Sequence, residues 1–218
     1  MRAVIGHVRP ALNVLPWQLE VAQVLDEHHV CAWSDDPRRR ARFASDLAGL
    51  LGQLEGTQVC ELDGARVRDL PGFCAELSRA AGVGPVEARI DSAAGVVGAL
   101  RRRPVLDGPA PLKRRYVIWT EAHVLLREDP ALFGRLADAI AGVAAEEEFY
   151  GEDLLLLQRA VFVGRASLDV YAEDPRGQFR SWFSERGEPP LWKVITGLAA
   201  PSVRSWRIGP EVTPAAVA

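Results

Sequence analysis

HVCAWSDDPRRRARFASDLAGL, residues His29 to Leu50, decides how this chain is read. Its apolar run Val30-Cys31-Ala32-Trp33 has the character of a short buried strand. A polar turn follows, in which Ser34, Asp35 or Asp36 suits a helix N-cap and Pro37 suits the first helical turn. Phe43, Leu47, Leu50, Leu51 and Leu54 then recur at helical spacing. Strand, loop and helix in this order make the layout in which α/β proteins cradle phosphate. The loop's contents differ from a cradle, which uses Gly-x-x-x-x-Gly-Lys-Ser/Thr so that backbone N–H groups converge on phosphate and lysine neutralises it. Ser34 to Arg40 contains neither glycine nor lysine, and Asp35 and Asp36 repel a triphosphate at close range.

On the amino-terminal side, Trp17, Val21, Val24 and Leu25 have helical spacing, and that helix is expected to end near His28-His29. On the other side, Gly56 is expected to end the second helix, and Thr57 to Leu62 reads as a strand closed by an Asp63-Gly64 turn. Asp69 caps a helix carrying Leu70, Phe73, Cys74 and Leu77 that stops at Gly82. A short helix is expected from Ala93 to Arg101, then a Pro/Gly-rich loop to Pro111. Arg115 to Trp119 is the strongest strand, and a long helix from Ala131 to about Glu148 follows it. Leu154 to Gly164 reads either as one broken strand or as a helix end followed by a strand. Gly177 to Glu185 and Leu191 to Leu198 read as helices, and Val203 to Ile208 as a last strand. Strands alternating with amphipathic helices predict an α/β fold, a mostly parallel sheet with helices on both faces. The expected organisation is an arm over residues 1–16, one domain over 17–208 and a frayed tail over 209–218.

The chain has 218 residues, enough for one large domain, and its hydrophobic (48%) and charged (25%) fractions are those of a soluble globular protein. A net charge of −3 provides no global field toward nucleic acid or acidic membranes, so any such contact rests on local patches. Cys31, Cys60 and Cys74 are odd in number and lie in or beside apolar runs, which predicts buried thiols rather than a disulfide framework. No apolar stretch reaches the roughly 20 residues that span a bilayer, and the amino terminus lacks a secretory h-region, so a cytoplasmic location is expected. Arginine far outnumbers lysine, a usage typical of GC-rich bacterial genomes.

The order of parts resembles the ATPase module of the AAA+ and origin-recognition type of P-loop NTPase. Leu15-Pro16-Trp17-Gln18 stands where that family has a Pro-x-Gln helix before its first strand. Val30 to Leu54 follows as strand, phosphate loop and helix, and Val59 to Arg101 as strand and helix pair. Tyr116 to Leu125 parallels the strand ending in Asp-Glu-Ala-(His/Asp)-x-Leu, and Leu154 to Arg165 the strand bearing the nucleotide-sensing residue. The resemblance covers about three quarters of the chain, but no motif is intact. Thr120 replaces the acid that would organise Mg²⁺, and Glu121 keeps the place of the carboxylate that activates water. Phosphoryl transfer depends on positioning and charge neutralisation, so the resemblance implies a degenerate, non-hydrolysing domain with no cofactor and no metal. Residues 59–146 also have a β-α-α-β-α order similar to barstar-type ribonuclease inhibitors, with Leu62 to Phe73 the most similar piece. Arg101-Arg102-Arg103 has the wrong sign for that role, and residues 1–56 are left unexplained.

Other chemistry is thin. Glu27-His28-His29-x-Cys31 lacks a second ligand pair at metal-site spacing, so cap and core roles are expected. There is no Gly-x-Ser-x-Gly elbow; Glu121 with His123 is the one acid/base pairing of interest, two apart on a strand exit. Ser34, Asp35, Asp36, Glu121 and His123 are therefore the expected crevice residues. Arg38, Arg39, Arg40 and Arg42, Arg101 to Arg103, and Lys113 with Arg114 are the candidate contacts for phosphates or an acidic partner. Trp182, Trp192 and Trp206 are either core or interface. The expected function is a protein-interaction component of a DNA-transaction complex; a nucleic-acid-binding module and a nuclease inhibitor are the alternatives.

Overall fold

The computed structural model describes residues 14–82, 84–85, 87–89, 113–141, 157–165 and 203–212. Over these the chain runs α1 (Pro16–Glu27), β1 (His29–Trp33), α2 (Pro37–Leu51), β2 (Thr57–Asp63), α3 (Leu70–Ala81) and β3 (Arg114–Thr120). It continues through α4 (His123–Glu128), α5 (Pro130–Ala141), β4 (Leu157–Gly164), β5 (Val203–Arg207) and a 3-10 turn (Pro210–Val212). The five strands form one sheet in the order β2-β3-β4-β1-β5, and every pairing is parallel. The fold is α/β with helices on both faces, as the alternation predicts.

Side-chain alternation along β3 shows how the faces are filled. Tyr116 and Ile118 join Trp17, Val21 and Leu25 of α1 and Phe43, Leu47 and Leu51 of α2. Val117 and Trp119 point the other way, into a cluster with Phe73 and Leu77 of α3, Leu125 of α4, and Phe133 and Leu136 of α5. Burial on both faces explains why β3 reads as a continuous apolar run. Trp119 is the hub of the second cluster, with ring centroids 5.5 Å from Phe73, 5.2 Å from Phe133 and 6.1 Å from Phe162.

Several boundaries differ from the sequence reading. Helix α2 ends at Leu51, not at Gly56, because Gly52 caps it and residues 52–56 turn toward β2. His29 belongs to β1, wholly buried, with Nδ1 accepting from the Ala160 N–H at 2.9 Å; His28 is the C-cap of α1. Leu157 to Gly164 is one unbroken strand. The short helix α4 was not expected, and Val212, assigned to the frayed tail, is 2% exposed against the α1/α2 face. All three cysteines are buried and free. The barstar-like reading is not followed by the sheet: its segment supplies β2 and β3, while β3 pairs onward to β4 and β4 to β1. The helices expected at 93–101, 177–185 and 191–198, the stretch to Glu148, and Trp182 and Trp192 lie outside the described residues.

Strand β1 connects leftward in the sheet order, over β4 and β3 to β2, whereas β4 connects rightward over β1 to β5. That reversal opens a crevice at the carboxyl ends of β1 and β4, the place where open α/β sheets take ligands.

Candidate functional site

The crevice is floored by the turn after β1. Three residues, Ser34 to Asp36, join β1 to α2. The Ser34 N–H donates to the Gly164 carbonyl at 3.1 Å, tying the turn to the end of β4, and Ser34 Oγ accepts from the Asp36 N–H at 3.2 Å. Asp36 is the N-cap of α2 and Pro37 its first residue. Asp36 Oδ1 accepts from the backbone N–H of Arg38 at 2.8 Å and of Arg39 at 3.4 Å, and the Asp36 carbonyl accepts from Arg40 N–H at 3.1 Å. A helix N-terminus attracts an anion because its first N–H groups lack partners. Pro37 has no N–H, so the donors of this first turn are met by the chain's own carboxylate and carbonyl.

Opposite the turn, β3 ends in Thr120-Glu121-Ala122. Thr120 Oγ1 donates to the Leu62 carbonyl at 3.1 Å, binding β3 to the end of β2 rather than facing the crevice. Glu121 has φ 46°, left-handed and uncommon for a side chain of this size. Hydrogen bonds on both sides hold it there: Gly64 N–H to the Thr120 carbonyl and Ala122 N–H to the Val163 carbonyl, each at 2.9 Å. Gly64 is required for that approach, because a Cβ there would lie 1.9 Å from the Thr120 oxygen.

The two walls meet through Arg40. Its Nε donates to Glu121 Oε1 at 2.8 Å and its Nη2 to Oε2 at 3.0 Å, a two-pronged ion pair. Its Nη1 donates to the Ser34 carbonyl at 2.7 Å and the Asp35 carbonyl at 3.3 Å. The Arg40 side chain is 7% exposed and that of Glu121 27%. Arg40 was expected among exposed contact arginines; it turns inward instead, one helical turn beyond the cap, and seals the crevice. His123 Nδ1 lies 3.6 Å from Glu121 Oε2, is buried and has no hydrogen-bond partner. Burial holds the His123 imidazole below its ordinary pKa; Glu121 opposes this, and Arg40, Arg127 and Arg165 reinforce it.

The expected crevice residues Ser34, Asp35, Asp36, Glu121 and His123 are thus brought together, with Arg40 added. The expected arginine cluster is largely neutralised: Arg39 pairs with Asp36 and Arg42 with Asp46, while Arg38 is exposed with no ion pair among the described residues. Lys113 and Arg114 lie at the start of β3, about 20 Å along the strand from the crevice by its rise per residue. Arg114 there pairs with Asp26 of α1 at 3.2 Å. Arg101, Arg102 and Arg103 fall outside the described residues. Among the described residues no group of three or more His, Cys, Asp or Glu is placed to hold a metal. None of their helices is long and apolar enough to cross a membrane. The Arg40–Glu121 pair joins residues 81 apart in sequence, and no local pattern announces it.

No protein-family model and no curated protein matches this chain. Solved structures do. The ORC2 protein of Aeropyrum pernix, in its ADPNP–ADP complexes, superposes with a TM-score of 0.52 at 12% identity, over 94% of this chain and 50% of that one. Cdc6p of Pyrobaculum aerophilum gives 0.51 at 17% identity, over 92% of this chain and 48% of that one. The likeness is one of fold. The α/β order expected from the resemblance is therefore the one observed, and the chain spans about half the length of each of these proteins.

Proposed function

We propose that this chain is a non-hydrolysing, origin-recognition-like domain that works by binding another protein in a DNA-transaction complex. The observation that supports this reading is the Arg40–Glu121 pair, which bridges the β1–α2 turn and the end of β3, with Asp36 accepting from the first-turn N–H groups of α2. A nucleotide entering here would have to break a bidentate ion pair, displace a cap and approach two aspartates without lysine or glycine to receive it. Glu121, which the resemblance puts in the place of a water-activating carboxylate, has each oxygen engaged by the Arg40 guanidinium while its side chain keeps 27% exposure. The Aeropyrum pernix ORC2 structure is of ADPNP–ADP complexes; in this chain the first-turn donors of α2 are met by Asp36 and the Glu121 carboxylate by Arg40.

The pairing of Arg39, Arg40 and Arg42 with carboxylates also weakens the alternative in which this turn grips a nucleic-acid backbone. Turnover tests the proposal. ATP hydrolysis by the purified chain should stay at the level of a heat-inactivated control, unchanged in Glu121→Gln. Hydrolysis that Glu121→Gln abolishes would overturn it.

A further inference from the structure

Past the carboxyl ends of β3 and β4 stand cationic side chains that the carboxylates around them do not pair. His123 opens α4 and Arg127 lies four residues on, so the two share a helix face. Arg165 directly follows Gly164 at the end of β4, whose Val163 carbonyl accepts from Ala122 N–H just ahead of α4. Arg127 and Arg165 are both exposed, and neither is ion-paired among the described residues. The nearby carboxylates are already engaged: Glu121 by Arg40, Glu128 by Arg68 at 2.6 Å, and Asp129 by the Leu132 N–H at 2.9 Å, where it caps α5. The His123 side chain, between Ala122 and the rest of α4, is 13% exposed, with its Nδ1 unmatched.

We propose that His123, Arg127 and Arg165 form a recessed acceptor for one acidic side chain of a partner protein, resting on the binding-protein reading given under Proposed function. Guanidinium and imidazole N–H groups suit a single carboxylate, which Arg holds through paired N–H donors. A nucleic-acid backbone is a poorer fit. It presents a row of phosphates and needs a continuous basic stripe, whereas Asp35, Asp36, Glu128 and Asp129 interrupt this end of the sheet.

The His123 ring resonance, identified by its loss in His123→Gln, reports occupancy directly. A blocked oligoglutamate peptide should move it saturably, and Arg127→Glu with Arg165→Glu should weaken that response about tenfold or more while leaving the melting temperature unchanged. An equal response to oligoglutamine, or an undiminished one in the double variant, would overturn the inference. So would tighter binding of oligothymidylate or inorganic phosphate than of oligoglutamate. Silence with every probe refutes this surface alone, whereas Mg-ATP that displaces the peptide refutes the binding-protein reading beneath it.

Discussion

Arg40→Met should cost more than any exposed arginine substitution in this chain, by an amount that follows from burial. The guanidinium is 7% exposed and makes two charged contacts to Glu121 and one at 2.7 Å to the Ser34 carbonyl. Removing one partner of a buried pair costs about 3–5 kcal/mol. Glu121 retains 27% exposure, so water recovers part of its solvation and the expected cost is about 2–4 kcal/mol. Glu121→Gln keeps the shape and one acceptor, and should cost about 2 kcal/mol. The double variant should be less damaged than the sum, with a coupling of about 1–3 kcal/mol. Urea unfolding at neutral pH measures all four species, and Arg42 with Asp46 supplies the internal control. That pair lies at i,i+4 with Arg42 50% exposed, and should couple by only about 0.3–0.5 kcal/mol. Equal coupling in the two pairs, or an Arg40–Glu121 coupling near zero, would refute the view that the crevice is held shut by its own charges.

Gly64→Ala should destabilise by about 2 kcal/mol or more, since the new Cβ meets Thr120 backbone at 1.9 Å and neither strand end can yield cheaply; a denaturation midpoint equal to wild type would contradict this. Asp36→Ala should cost about 1 kcal/mol through loss of the α2 cap, read by the same unfolding curves. Acid should destabilise in two windows. The His123 pKa is depressed, so below its ordinary value of 6.5 the unfolded chain binds the proton first and stability falls; His123→Gln should flatten that limb. Glu76 is pushed up by burial but pulled further down by Arg79, the Asp63 N–H and Arg66. Its contribution is therefore intact above its ordinary value near 4.5 and lost as the pH falls through the lowered one, and Glu76→Gln should remove that loss.

The fold was legible because its signals are local. Val30 to Trp33, Asp36-Pro37 and the Phe43/Leu47/Leu51 stripe each state their structure within a few residues, and β3 declares burial on both faces by its unbroken apolar run. The crevice was half legible. The absence of lysine and glycine could be read directly, and so could the grouping of Glu121 with the turn at Ser34. What fills the crevice could not be. Arg40 reads as one more member of an arginine run, and only the packing of α2 across the end of β3 turns it onto a carboxylate 81 residues away. Gly64 likewise looks like an ordinary turn glycine until β2 and β3 are set side by side and its Cβ position proves to be occupied. Helix α4 was missed because six residues are too few for a helical period to show against the strand before it.

Isothermal titration of Mg-ATP into the purified chain provides the sharpest single test. A crevice sealed by Arg40, Glu121 and Asp36 should give no binding heat beyond dilution, at any ratio of nucleotide to protein. Saturable, magnesium-dependent binding in the micromolar range would contradict it, and would show that the ion pair opens for a ligand.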